Sequence, residues 1–156
     1  MQLDNVEDFY PLTPLQEGLL FHSLSEPRER GLYFNQALLT LTGELDVPAF
    51  RRAWERVLQR HAILRTFFAW EGVKEPVQVV QRTVELPFAF HDLRRLSGEV
   101  QQQQIEAIRR DDLEQGFDLS QAPLLRVILL QTADDSHEFL WSFHHILMDG
   151  WSMFAV

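Results

Sequence analysis

Between Phe143 and Gly150 the chain sets two histidines side by side, His144 and His145. The apolar triplet Ile146, Leu147 and Met148 follows, then Asp149 and Gly150. Imidazole is the side chain best suited to take or give a proton near neutral pH. A carboxylate a few residues on can orient an imidazole, pair with a cation or cap the next helix. A glycine beside it lets the backbone approach a ligand or take a positive φ. Other readings compete with acid–base chemistry. Two histidines and a carboxylate suit a zinc or non-haem iron centre. Ser142 or Ser152 would complete a Ser-His-Asp set, although neither sits in a G-x-S-x-G elbow. In the plainest reading the histidines are satisfied core or turn residues, and Asp149-Gly150 is a helix-capping turn.

The elements around these residues limit the choice. Residues 137–145 and 122–132 are rich in β-branched, aromatic and leucine side chains and flank the polar turn 133–136, which predicts a buried hairpin. His144 and His145 then end a strand, where neighbouring side chains point to opposite faces. They meet different surroundings, only one faces a cleft, and joint ligation of a metal is awkward. Arg65 lies within residues 62–70, an otherwise apolar stretch read as a strand. A buried guanidinium needs a carboxylate to meet it, and Asp149 is a candidate; on a solvent-facing side it needs none. His61 and His91 read as surface or structural histidines.

Further elements follow from capping and periodicity. Thr13 can cap a helix that starts at Pro14, with Glu17 close behind and Leu15, Leu19, Leu20 and Phe21 towards one face. Residues 33–43 read as a strand. Residues 45–61 read as a helix capped by Asp46, with Phe50, Trp54, Val57 and Leu58 on its apolar face. Residues 75–81 and 84–93 read as short strands, 97–117 as a helix, and 150–156 as the start of another. The alternation gives an α/β class (α+β, two-layer), with one mostly buried sheet covered by helices.

At 156 residues, 46% of them hydrophobic, the chain fits one domain with a sizeable core. A net charge of −9 offers no basic face for nucleic acid or an anionic membrane. The absence of cysteine excludes disulfides, thiolate catalysis and Cys-based zinc sites. No run of eighteen apolar residues predicts a transmembrane helix, and the acidic start does not read as a secretory signal, so cytoplasm is expected.

Three segments together resemble a known family. "YPLTPLQEGLLFHSL" (10–24), "RHAILRTFF" (60–68) and "FHHILMDGWS" (143–152) look like the first three core motifs of the condensation domains of nonribosomal peptide synthetases. The last matches the HHxxxDG signature of that superfamily, which also resembles chloramphenicol acetyltransferase. The resemblance implies two lobes of chloramphenicol acetyltransferase-like fold, with a mixed sheet covered by helices and the active site between the lobes. Residues 1–156 would be the N-terminal lobe, its C-terminal lobe absent and its last helix truncated. An upstream peptidyl carrier protein would present an acyl or peptidyl thioester, and a downstream one an aminoacyl acceptor, each on 4'-phosphopantetheine. An adenylation domain would lie in the same or a neighbouring module. No cofactor or metal would be bound by the lobe itself.

Carried over to this sequence, His145 would be catalytic, with His144, Asp149 paired to Arg65, and Gly150 supporting the site. The motifs look more like domains that take a D-configured donor than an L-configured one. The isolated lobe is expected to be inactive. An epimerisation domain, a related HHxxxDG acyltransferase and a non-catalytic carrier- or partner-binding module are the alternatives.

Overall fold

The computed structural model describes residues 3–26, 31–150 and 152. Strand β1 (Val6–Pro11) leads to helix α1 (Pro14–Ser25), which begins at a reciprocal capping box. Thr13 Oγ1 accepts from the Gln16 backbone N–H at 3.3 Å, and Gln16 Oε1 accepts from the Thr13 N–H at 2.9 Å. Gln16 completes the box, not Glu17. Gln16, Leu19 and Leu20 form the buried face. Leu15 and Phe21 point to solvent; Phe21 lies about 200° round the helix from Leu19 and cannot share its stripe.

Strand β2 (Phe34–Thr42) and helix α2 (Val47–Arg60) follow as the sequence predicts, with the Asp46 carboxylate accepting from the Ala49 N–H at 2.9 Å. The next segment departs from expectation. Ala62–Arg65 is a 3-10 turn, closed by the Leu64 N–H on the His61 carbonyl and by Thr66 Oγ1 on the Ala62 carbonyl. Only then does β3 (Thr66–Ala69) begin. A chain leaving a helix must reverse before it can pair, and the apolar run conceals that reversal.

The remaining elements are β4 (Val77–Gln81), β5 (Phe88–Asp92), α3 (Gly98–Gln115), β6 (Leu125–Ala133) and β7 (Ser136–His144). Their strands divide between two sheets, where the sequence suggested one. Strands β1, β4 and β3 form an antiparallel sheet in that order, and β2, β7, β6 and β5 form a mixed one. Residues 6–11, mostly polar or exposed, carry no strand signal in isolation; β4 supplies their partner, with Tyr10 opposite Gln78.

In the larger sheet β6 and β7 form the expected hairpin, and β7 also pairs along its length with β2, from Phe34 opposite His144 to Thr42 opposite Ser136. Strand β5 runs parallel to β6, so α3 is the crossover that parallel neighbours require.

Helices cover both faces of this sheet. Towards α2, Phe50 packs on Phe139 with ring centroids 5.3 Å apart, and Trp54 on Trp141 at 5.4 Å. Towards α3, Leu93, Ile105 and Leu130 form a second cluster. Ser142 and His144 alternate with Trp141 and Phe143 along β7, so they lie on the α3 side. Of the predicted helix 150–156, Trp151 and residues 153–156 lie outside the described residues.

Candidate active site

The histidine pair stands where β7 leaves the sheet, and the two rings diverge as strand geometry demands. His144 is buried. Its backbone N–H bonds the Leu124 carbonyl at 3.0 Å, and its Nδ1 accepts from the Ile146 N–H at 3.2 Å. The Tyr33 ring stands edge-on to it, centroids 6.2 Å apart. Burial first, and the neighbouring His145 second, push its pKa down to about 4 against the pull of a hydrogen bond to the Leu32 backbone. His144 is therefore neutral at pH 7. Its Nδ1 is committed to the backbone of Ile146.

His145 is half-buried. Its N–H donates to the Tyr33 carbonyl at 2.8 Å, and its Nδ1 lies 2.9 Å from the Met148 carbonyl. A carbonyl only accepts, so Nδ1 carries the proton, and the neutral ring must present a lone pair at Nε2. Among the described residues none bonds Nε2. Tyr33 has φ of 59°, in the left-handed region that a side chain with a Cβ seldom adopts. That conformation lies at the point where its carbonyl meets the histidine, and strain held at such a place is often functional.

The loop 145–148 is also held from α1. Gln16 Nε2 donates to the Ile146 carbonyl at 3.3 Å. Asp149 is exposed, and its Oδ1 accepts from the Ser152 N–H at 2.8 Å and from the Ser152 hydroxyl at 2.7 Å. Gly150 is exposed too, and a methyl group added there would meet nothing within 4 Å.

The structure does not bring Arg65 to Asp149. Arg65 Nη1 meets Glu7 Oε2 at 2.7 Å and also bonds the Gln81 and Arg82 carbonyls. Its side chain leaves the 3-10 turn along the β1–β4 edge of the small sheet, whereas Asp149 follows the end of β7 in the large one. The Arg65 guanidinium in turn holds the Glu7 carboxyl below its ordinary pKa.

The hydrolase reading loses its nucleophile. Ser142 is buried, and its hydroxyl donates to Asp112, which also accepts from Arg126 Nε at 2.6 Å and Gln36 Nε2 at 2.9 Å. Ser152 bonds Asp149 without an intervening imidazole. Among the described residues no three His, Asp or Glu side chains converge as a metal site would need.

A cleft of about 360 Å³ opens between the end of α1, the start of β2 and the end of α3. Ser23, Leu24, Phe34, Trp70 and Phe117 line it, and the histidine on its wall is His144, not His145.

Sequence reasoning missed Gln16, Tyr33 and Asp112. The spacing Thr13-x-x-Gln16 is a capping-box signature and could have marked the first. Nothing local distinguishes Tyr33, or Asp112 within the charged run 109–114.

This architecture is that of solved condensation domains. The starter condensation domain of the rhizomide synthetase RzmA superposes with a TM-score of 0.84 at 23% identity, over 96% of this chain and 36% of that one. A four-domain nonribosomal peptide synthetase bound to AMP and glycine gives a TM-score of 0.77 at 22% identity, over 95% of this chain and 11% of that one. The fold is thus the chloramphenicol acetyltransferase-like one that the sequence implied.

The family follows from the sequence itself: residues 6–156 match the condensation-domain family, and the chain belongs to it. Similar proteins include one of the linear gramicidin synthase proteins of Brevibacillus parabrevis, 46% identical over 95% of this chain. Bacitracin synthase 3 of Bacillus licheniformis is 40% identical over 94% of it. The chain spans 3% and 2% of those two proteins.

Proposed function

We propose that this chain is the N-terminal lobe of a condensation domain that forms an amide bond between two carrier-bound substrates. The carrying observation is the His145 ring, whose Nδ1–H is tied to the Met148 carbonyl so that Nε2 offers a lone pair. The 4'-phosphopantetheine arms belong to the carrier proteins and enter as parts of the substrates. The acceptor's α-amine attacks the donor's thioester carbonyl; the N–C bond forms, the C–S bond breaks, and the donor arm leaves as a thiol. An α-amine titrates near roughly 8, so a usable fraction is neutral at pH 7. Nε2 then chiefly orients the amine by accepting its N–H, and takes the proton as the tetrahedral intermediate forms. His144, neutral and bonded through Nδ1 to the Ile146 N–H, supports the loop. Gly150 keeps the approach to it open. Asp149 shapes the turn after it through Ser152.

In this reading a second lobe closes over the exposed side of His145; the chain spans 36% of the solved starter-domain chain, which leaves room for one there. Upstream and downstream carrier proteins and an adenylation domain are the partners, in the cytoplasm. No described helix is long and apolar enough to cross a membrane. The donor is D-configured, a reading that rests on the motif wording of 10–24 and 143–152.

The test is a single-turnover reaction of the complete domain with loaded donor and acceptor carriers, read by intact-protein mass. A donor-plus-acceptor mass on the acceptor carrier, formed in higher yield with D- than with L-donors, is expected, and none from residues 1–156 alone. A donor that changes configuration with no mass transfer would indicate epimerisation instead, and no reaction with either donor would favour a binding module.

A further inference from the structure

We propose that Gln16 and Gln78 act together as positioning residues for His145, an inference that rests on the role given to His145 above. The two side chains form a reciprocal amide pair. Gln16 Nε2 donates to Gln78 Oε1 at 3.2 Å, and Gln78 Nε2 donates to Gln16 Oε1 at 3.1 Å. Both residues are buried, at 9% and 3% exposure. A primary amide out of water is costly unless its donors and acceptors are met, and here they are met in a directed way.

Gln16 Nε2 spends its other hydrogen on the Ile146 carbonyl, and its Oε1 also takes the Thr13 N–H. Gln78 Nε2 spends its other hydrogen on the Pro11 carbonyl at 3.1 Å. Four parts of the chain therefore meet at one amide pair: the end of β1, the start of α1, the middle of β4 and the loop that carries His145.

The geometry matters because of what else holds that loop. The His145 N–H is tied to Tyr33 and the Ile146 N–H to His144, both on the β2 and β7 side. The Gln16 bond comes from the small sheet and α1. The Ile146 carbonyl belongs to the Ile146–Leu147 peptide, inside the loop that brings the Met148 carbonyl to His145 Nδ1. Freeing that carbonyl lets the Ile146–Leu147 peptide rotate, the Met148 carbonyl shifts, and the ring it holds, with Nε2, moves with it. A displacement of the order of 1 Å at a reacting group can cost about a hundredfold in rate.

The experiment uses the complete domain with loaded carriers and compares wild type, Gln16→Leu, His145→Ala and the double variant. Gln16→Leu is expected to lower single-turnover rate by about ten- to a hundredfold at saturating acceptor carrier, with little change in the half-saturating carrier concentration. In the His145→Ala background the same substitution is expected to change nothing, because a positioning residue acts only through what it positions. Gln16→Glu covers the case in which the leucine variant does not fold. It keeps the shape and the cap to Thr13. Burial raises a carboxyl pKa, and the single O–H of the protonated form serves the Ile146 carbonyl at the expense of the bond to Gln78 Oε1. Its turnover should hold at pH 6 and fall by pH 8.5 relative to wild type. A Gln16→Leu rate within twofold of wild type, an equal loss in the His145→Ala background, or a Gln16→Glu profile parallel to wild type would each overturn the proposal. His145→Ala turning over normally would instead remove the reading of His145 on which it rests.

Discussion

Acidification should destabilise this chain through His144, in a pH window that the carboxylates do not share. The ring is buried, with a pKa pushed down to about 4 from an ordinary value of 6.5. Its folded-state pKa lies below its unfolded one, so the unfolded chain binds the proton first. Stability from this group is complete above about pH 6.5 and is lost as pH falls towards about 4. At 1.36 kcal/mol per tenfold difference in proton affinity, the gap corresponds to about 3 kcal/mol. That is a large part of a typical domain stability of roughly 5–15 kcal/mol.

His137, buried and also depressed by burial, acts in the same direction, so the contribution of His144 must be taken as a difference. His144→Asn keeps an acceptor for the Ile146 N–H and removes the titration. Urea midpoints should be measured for both proteins between pH 7 and pH 4.5. The wild type should lose its advantage over the variant steadily below pH 6.5. Parallel profiles across that range would refute the burial argument. The carboxylates whose pKa values are lowered, Glu7 and Asp92, contribute stability that is present above their ordinary values near 4 and is lost only below them.

Further outcomes follow from the same contacts. Asp112→Ala leaves the mostly buried Arg126 guanidinium without its carboxylate, and the Ser142 hydroxyl without its acceptor, and should cost about 3–5 kcal/mol in urea unfolding. Thr13→Ala removes half of the capping box and should lower stability by about 1 kcal/mol, read from the shift in urea midpoint.

What the sequence revealed, it revealed through local rules. Helix α2 was legible because Asp46 caps it and Phe50 and Trp54 recur on one face. The β6–β7 hairpin was legible because two long apolar runs flank Asp134 and Asp135. The divergence of His144 and His145 followed from strand alternation alone. What stayed hidden depends on partners remote in sequence. Strand β1 exists because β4 pairs with it some seventy residues on. The partner of Arg65 was misjudged because the 3-10 turn that aims it at Glu7 carries the same apolar residues a strand would. Gln16 looked like a capping residue at best, and its contact with Ile146 spans 130 positions of chain. The commitment of His144 to backbone likewise shows only once the loop after β7 is folded back on it.

Whether His145 does the chemistry of amide formation in the complete domain is tested most directly by one substitution. Donor- and acceptor-loaded carriers are mixed with wild type or His145→Ala, and the donor-plus-acceptor mass on the acceptor carrier is followed in time. Product from wild type and a rate about a hundredfold lower from the variant are expected, in keeping with general acid–base and positioning contributions. A variant that forms the amide within twofold of the wild-type rate, while remaining folded, would contradict that role.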